Sequence, residues 1–182
     1  MQNNASSVSI TAHIFGKLTH IKILNMQQNK FRGRRHTQNG MLQKLQELRL
    51  NDNTLVGDFP TEWGQLSTLQ ILHIYNNKVS GPIPTQIGQM VELKEFHAQS
   101  NEFDHLPSEM GNMEDLKNLY LENNKFGGKV PAELGRLEQL ETLKLNHNSL
   151  TGSIPASICT LKTRNALRFV EADCNGRIDC EC

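Results

Sequence analysis

The stretch Leu42-Gln-Lys-Leu45-Gln-Glu-Leu48-Arg-Leu50-Asn-Asp-Asn53 decides the fold. Leu48 and Leu50 flank one polar residue, the pattern of a short strand with one buried face. Asn53 then ends the strand at a turn, where a buried amide side chain can bond neighbouring backbone groups. The same pattern recurs along the chain every 24 residues or so. Leucine or methionine stands at Leu18, Leu42, Leu66, Met90, Met113, Leu137 and Leu161, and asparagine at Asn29, Asn53, Asn77, Asn101, Asn124 and Asn148. Proline follows in register at Pro60, Pro84, Pro107, Pro131 and Pro155. Three residue types in register at a period between about 20 and 50 residues predict a solenoid. A single asparagine reads equally as a surface turn former. The strict period favours a ladder of asparagines that satisfies one coil after another.

The second half of each unit reads Asn77-Lys-Val79-Ser-Gly81-Pro-Ile83-Pro84-Thr-Gln-Ile87-Gly88, and again Asn148-Ser-Leu150-Thr-Gly152-Ser-Ile154-Pro155-Ala-Ser-Ile158. Gly57, Gly81, Gly128 and Gly152 fall where the chain must turn sharply, which glycine does without steric cost. The proline that follows presets φ and cannot donate to an interior ladder. Over residues 15–160 these motifs resemble the plant-type leucine-rich repeat, LxxLxLxxNxLxGxIPxxLGxLxxL. Ectodomains of receptor-like kinases and polygalacturonase-inhibiting proteins share it. The resemblance implies an α/β solenoid, a right-handed superhelix with a parallel concave β-sheet and short helical or 3-10 convex segments. Six repeats are expected at 18–41, 42–65, 66–89, 90–112, 113–136 and 137–160. Residues 1–17 are then a remnant of a preceding repeat, and 161–182 a C-terminal cap.

Two units depart from the pattern. The one at 90–112 is one residue short and has Phe103-Asp-His105-Leu106-Pro107 where its neighbour has the glycine turn. A locally different convex turn is expected there, with the strand Phe96-His-Ala98 still in register. The first unit runs into Arg34-Arg35-His36-Thr-Gln-Asn-Gly40 and has no Ile-Pro. Its basic run, Lys30 to His36, reads either as an anionic-surface patch or as a solvated convex loop.

A chain of 182 residues with formal net charge zero fits one solenoid domain. Its neutral balance gives no nucleic-acid footprint. No apolar run is long enough to span a membrane, and the start, Met1-Gln-Asn-Asn-Ala-Ser-Ser, has neither the basic nor the apolar region of a signal peptide. The triplet Asn4-Ala-Ser6 fits the N-glycosylation pattern, a weak signal alone. All four cysteines lie late, at Cys159, Cys174, Cys180 and Cys182. The tail around them resembles the cysteine-rich end caps of secreted microalgal repeat proteins. An even count at such an end reads as two disulfides, with three connectivities open. A four-thiolate zinc site and reduced thiols are the alternatives, although no C-x-x-C is present. The cysteines favour an extracellular or cell-surface location, and a cytoplasmic one is the alternative. Because only Phe15-Gly16-Lys17 matches a repeat end upstream of Leu18, the chain is expected to be a fragment.

Function is then expected in the side chains that leave the concave sheet. The residue between the strand leucines gives a column of Asn25, Arg49, His73, His97, Tyr120, Lys144 and Arg168. The next column is Gln27, Asn51, Tyr75, Gln99, Glu122, Asn146 and Val170. Strands about 4.8 Å apart would stack Arg49, His73, Tyr75, His97, Tyr120 and Lys144 on one face as a ligand-binding stripe. The mix of cations and aromatics suits an acidic peptide, protein or anionic glycan, the more so at mildly acidic pH. No cofactor motif, phosphate loop or kinase signature appears, and no catalytic residue is assigned. His73, His97 and Glu95 lack an orienting partner for catalysis. The two histidines are not expected to hold a metal, because the sequence supplies no convincing third ligand. The function expected is ligand recognition within a larger extracellular or receptor-like protein. The alternative is inhibition of a secreted polysaccharide-degrading enzyme.

Overall fold

The computed structural model describes residues 20–30, 32–34, 42–164, 166–173 and 178–179. Each coil contributes a three-residue strand to one parallel sheet. The strands are Ile23–Asn25, Glu47–Arg49, Ile71–His73, Glu95–His97, Asn118–Tyr120, Thr142–Lys144 and Phe169–Glu171, hydrogen-bonded in that order. Register puts Leu24, Leu48, Leu72, Phe96, Leu119, Leu143 and Val170 in one row. From Leu48 to Leu143 these side chains are fully buried, and so are Leu50, Ile74, Ala98, Leu121 and Leu145 behind them. The alternation that buries every second residue sends its neighbours out of the concave face. The whole is a solenoid of stacked coils with one parallel sheet along its concave side.

The asparagine ladder exists. The Asn77 amide donates to the carbonyl oxygens of Ile74 (3.0 Å) and Tyr75 (3.2 Å) in its own coil and of Leu50 (3.0 Å) in the coil before. Its Oδ1 accepts from the Leu55 N–H at 3.0 Å. The same set repeats at Asn101, whose Oδ1 accepts from Val79 N–H. Oδ1 of Asn124 likewise accepts from Phe103 N–H, and that of Asn148 from Phe126 N–H. One side chain thereby satisfies carbonyls and an amide of two coils where neither sheet nor helix can.

The residue before each asparagine is left-handed: Gln28, Asp52, Asn76, Ser100, Asn123 and His147 have φ between 52° and 57°. The glycines expected at sharp turns also have positive φ, with Gly81 at 76° and Gly152 at 90°. Each following proline sets the start of a short 3-10 segment, at Thr61–Gln65, Thr85–Gln89, Ser108–Asn112 and Ala132–Arg136. These segments stack from coil to coil closely. A Cβ on Gly88 or Gly111 would strike the backbone of Glu109 or Glu133 in the next coil. Cys159 takes the same position in the last coil, inside the α-helix Ala156–Thr163. Cys174, Cys180 and Cys182 lie outside the described residues, as do Arg35-His36 and all of residues 1–17, with Asn4-Ala-Ser6 among them.

The stretches after each asparagine form further parallel sheets, which the sequence did not reveal. One joins Arg32–Arg34, Thr54–Asp58, Lys78–Pro82 and Glu102–His105; the other joins Gly127–Lys129, Ser149–Ser153 and Ile178–Asp179. The break between them falls next to the short unit. There the pairing already slips, Gly81 facing Phe103 and Pro82 facing His105. The missing residue is absorbed on this outer ladder, while Leu72, Phe96 and Leu119 stay in register on the concave one. The different convex turn expected at 103–107 is this slip.

The last strand corrects the sequence reading. Lys144 pairs with Glu171 and Leu143 with Val170. Arg168 therefore does not extend the inner column, and Val170 is in the buried row rather than the second outward column. Leu161 and Leu167 are six apart, where Leu137 and Leu140 are three apart. The three extra residues allow a true α-helix, with Arg164 N–H bonded to the Thr160 carbonyl, before the chain re-enters the sheet. Asp173 then closes the ladder. Its two carboxylate oxygens accept from the N–H groups of His147 (2.7 Å) and Asn148 (2.8 Å). In the preceding coil the N–H groups of Asn123 and Asn124 bond the carbonyls of Asn146 and His147. Asp173 thus supplies from one side chain what another coil would supply from its backbone.

Two substitutions test this architecture. Asn101→Ala removes three donated bonds and orphans the Val79 N–H, and is expected to cost about 2–4 kcal/mol. Leu72→Ala is expected to cost about 2–5 kcal/mol by opening a cavity. Urea denaturation of both variants and the parent reads the two values.

Candidate functional site

The concave face carries three outward columns, the third of them running through Gln27, Asn51, Tyr75, Gln99, Glu122 and Asn146. The column between the strand hydrophobics holds Asn25, Arg49, His73, His97, Tyr120, Lys144 and Glu171. On the other side of the buried row stand Ile23, Glu47, Ile71, Glu95, Asn118, Thr142 and Phe169. Sequence reasoning followed the first column and passed over the second, although strand alternation sends the residue before each buried leucine outward as well.

Four of the six expected residues form a continuous stack. The rings of His73 and His97 lie 4.2 Å apart and nearly parallel, at 7°. His97 meets Tyr120 at 4.3 Å with a 52° tilt. Lys144 Nζ sits 5.6 Å from the centre of the Tyr120 ring, a cation–π arrangement. Tyr75 flanks the stack, 6.0 Å from His73 and 6.5 Å from His97. Arg49 reaches it from the next strand, Nη1 lying 3.2 Å from His73 Nδ1. Because a guanidinium only donates, His73 Nδ1 accepts and its proton is on Nε2. That nitrogen donates to Glu95 Oε2 at 3.2 Å.

The electrostatics differ from the sequence expectation in two ways. First, neither cation is free. Arg49 Nε and Nη2 both approach Glu47 Oε2 at 3.3 Å, and Lys144 Nζ lies 3.1 Å from Glu171 Oε1, which raises the lysine pKa. Second, both histidines are held neutral. Burial lowers the His73 pKa, outweighing the hydrogen bond to Glu95. Burial first, then the charge that His73 carries when protonated and that of Arg49, lower that of His97 to about 3. The expectation that both would titrate near 6.5 is not met: a stacked ring has lost the water that its charged form needs. In the third outward column, Glu122 is pushed up by burial. The face as a whole is a neutral ring stack framed by paired charges, and it is not a cationic stripe.

Sequence comparison matches the described coils to the family model Leucine Rich Repeat at residues 44–66, 68–90, 115–137 and 139–161, about half of the chain. No curated protein matches it in sequence. Among solved structures it is similar to the leucine-rich-repeat ectodomain of the Arabidopsis thaliana receptor kinase GASSHO1/SCHENGEN3, in complex with CASPARIAN STRIP INTEGRITY FACTOR 2. Identity is 34% and the TM-score 0.84, over 91% of this chain and 20% of that one. It is similar also to the Arabidopsis HAESA ectodomain bound to an IDA peptide hormone, at 29% identity and TM-score 0.84, over 94% of this chain and 28% of that one. A leucine-rich-repeat protein of Leptospira interrogans matches at 26% identity and TM-score 0.77, over 91% of this chain and 40% of that one. The chain thus spans about a fifth to two-fifths of the length of these proteins. Among the described residues, no helix is long and apolar enough to cross a membrane.

The lowered pKa of His97 fixes a pH dependence. Its unfolded form takes up a proton near pH 6.5 and the folded form only near 3. Between those values the unfolded state binds more protons, so stability is complete above about pH 6.5 and falls as the pH drops toward 3. Melting temperatures of the parent should decline across that window more steeply than those of His97→Gln, measured side by side from pH 7.5 to 4.

Proposed function

The chain belongs to the leucine-rich-repeat family, and from that premise we propose that it is a non-catalytic recognition module that binds a peptide or protein segment on its concave face. The observation that carries this reading is the ring stack of His73, His97 and Tyr120 across three neighbouring strands. Rigid rings held in contact offer contact area at little entropic cost, which is what anchor residues at interfaces do. Tyr75 widens the platform, and Arg49 and Lys144 bound it at either end. Because both cations already hold carboxylates, they orient a partner through donors they have left over and do not select it by net charge. The similar ectodomains, whose complexes hold CASPARIAN STRIP INTEGRITY FACTOR 2 and an IDA peptide hormone, favour a peptide.

In this reading the six repeats run 18–41, 42–65, 66–89, 90–112, 113–136 and 137–160, the plant-type LxGxIP pattern shaping their convex side. Residues 161–182 are a cap whose Cys174, Cys180 and Cys182, with Cys159 of the last repeat, pair into two disulfides. The location is extracellular or at the cell surface, within a longer receptor-like protein. Mass spectrometry of secreted, non-reduced protein is expected to find no alkylatable thiol. Four alkylatable thiols would overturn the cap and its location together.

Binding is tested with a peptide library displayed on phage and selected against the folded chain. Ligands selected by the parent are expected to lose about tenfold or more in affinity on Tyr120→Ala or Tyr75→Ala. Arg34→Ala, on the outer ladder, should leave affinity unchanged. Selected ligands that bind the triple variant His73→Ala, His97→Ala, Tyr120→Ala as tightly as the parent would place recognition elsewhere on the solenoid. Melting curves of each variant establish that it is folded.

A further inference from the structure

We propose that His73, His97 and Glu95 form a binding site for a transition-metal dication of the zinc type on the concave face. Neighbouring strands bring a ligand atom from each to within 4.8 Å of the others. Two imidazoles and one carboxylate are a donor set suited to Zn2+. The sequence offered the two histidines but not the third ligand. Glu95 lies in the outward column that alternation places two residues before His97, and its Oε2 already touches His73 Nε2.

One further observation points to a ligand. His97 Nε2 is buried and has no hydrogen-bond partner, an unusual state for an imidazole nitrogen on a ladder where its neighbour has two.

The site needs small movements. An ion about 2.0–2.1 Å from each donor requires donor atoms about 3.4 Å apart. The near-parallel rings must therefore turn about their Cβ–Cγ bonds, which are soft torsions. The ion takes the place of the proton between His73 Nε2 and Glu95 Oε2. That proton moves to His73 Nδ1, so the imidazole changes tautomer and stays neutral. Arg49 Nη1 must then release Nδ1, and its Nε and Nη2 remain on Glu47. Arg49 opposes the ion both as a competing donor and as a nearby positive charge. Three protein ligands leave a fourth position for water or for a donor from a bound partner.

The test adds ZnCl2 to the full chain at pH 7.5, by calorimetry and by 1H–15N spectra of the histidine rings. One equivalent is expected to bind with shifts at the His73 and His97 nitrogens. His97→Gln and Glu95→Gln should each weaken binding by about tenfold or more. Arg49→Gln should tighten it, which a structural effect of losing the guanidinium would not do. Binding with no shift at His73 and His97, an affinity unchanged by His97→Gln, or no binding at millimolar ZnCl2 would each overturn the site. If the parent chain binds no zinc, peptide selection by the ring stack of His73, His97 and Tyr120 is unaffected, so the two readings fail separately.

Discussion

The asparagine ladder is the constraint on which the rest of the structure depends. A solenoid coil must turn its backbone through the interior, and interior amides and carbonyls need partners. Strands supply them on the concave side, but the turn that follows lies beyond the sheet. There a single amide side chain serves two coils, donating to carbonyls of its own and the preceding coil and accepting an N–H from the latter. No apolar residue can do this, and a hydroxyl lacks the span of donors and acceptor. The ladder fixes the spacing of the coils, and the spacing sets the distance between rings on the concave face. The 4.2 Å separation of His73 and His97 follows from strands held in register behind them.

That spacing decides the chemistry of the face. Rings on adjacent strands must stack, and stacking removes the water that would stabilise imidazolium. Charges fare differently because long side chains reach across columns. Arg49 doubles back to Glu47 on its own strand, and Lys144 crosses to Glu171 on the next. A surface that reads as basic from one column is balanced once both columns are counted. On the proposed reading, the stacked rings of this face would give a partner a firm, weakly charged platform.

Much of this was legible in the chain. The buried row, the asparagines, the glycine turns and the prolines ahead of the 3-10 segments follow from a period that the eye can follow from Leu42 to Ile158. The stripe of Arg49, His73, Tyr75, His97, Tyr120 and Lys144 was legible too, because alternation on a strand admits only two faces. What the sequence hid has a physical reason in each case. The outer ladder depends on φ and register at Gly81 and Pro82, where no periodic apolar residue marks a strand. Glu171 replaced Arg168 because three inserted residues vanished into the α-helix Ala156–Thr163, a change of local structure that a fixed period cannot anticipate. The depressed histidine pKa values come from burial in the folded stack, and Glu95 became a partner of His73 only through the diagonal between two strands.

Amide hydrogen exchange tests the central claim most directly, since it reads the ladder bond by bond. The amides of Leu55, Val79, Phe103 and Phe126 each donate to an asparagine Oδ1 from the next coil. They should exchange as slowly as the amides of the concave strands, through the same cooperative opening. Fast, independent exchange at these four positions, with the strand amides still protected, would contradict the ladder as the element that holds the coils together.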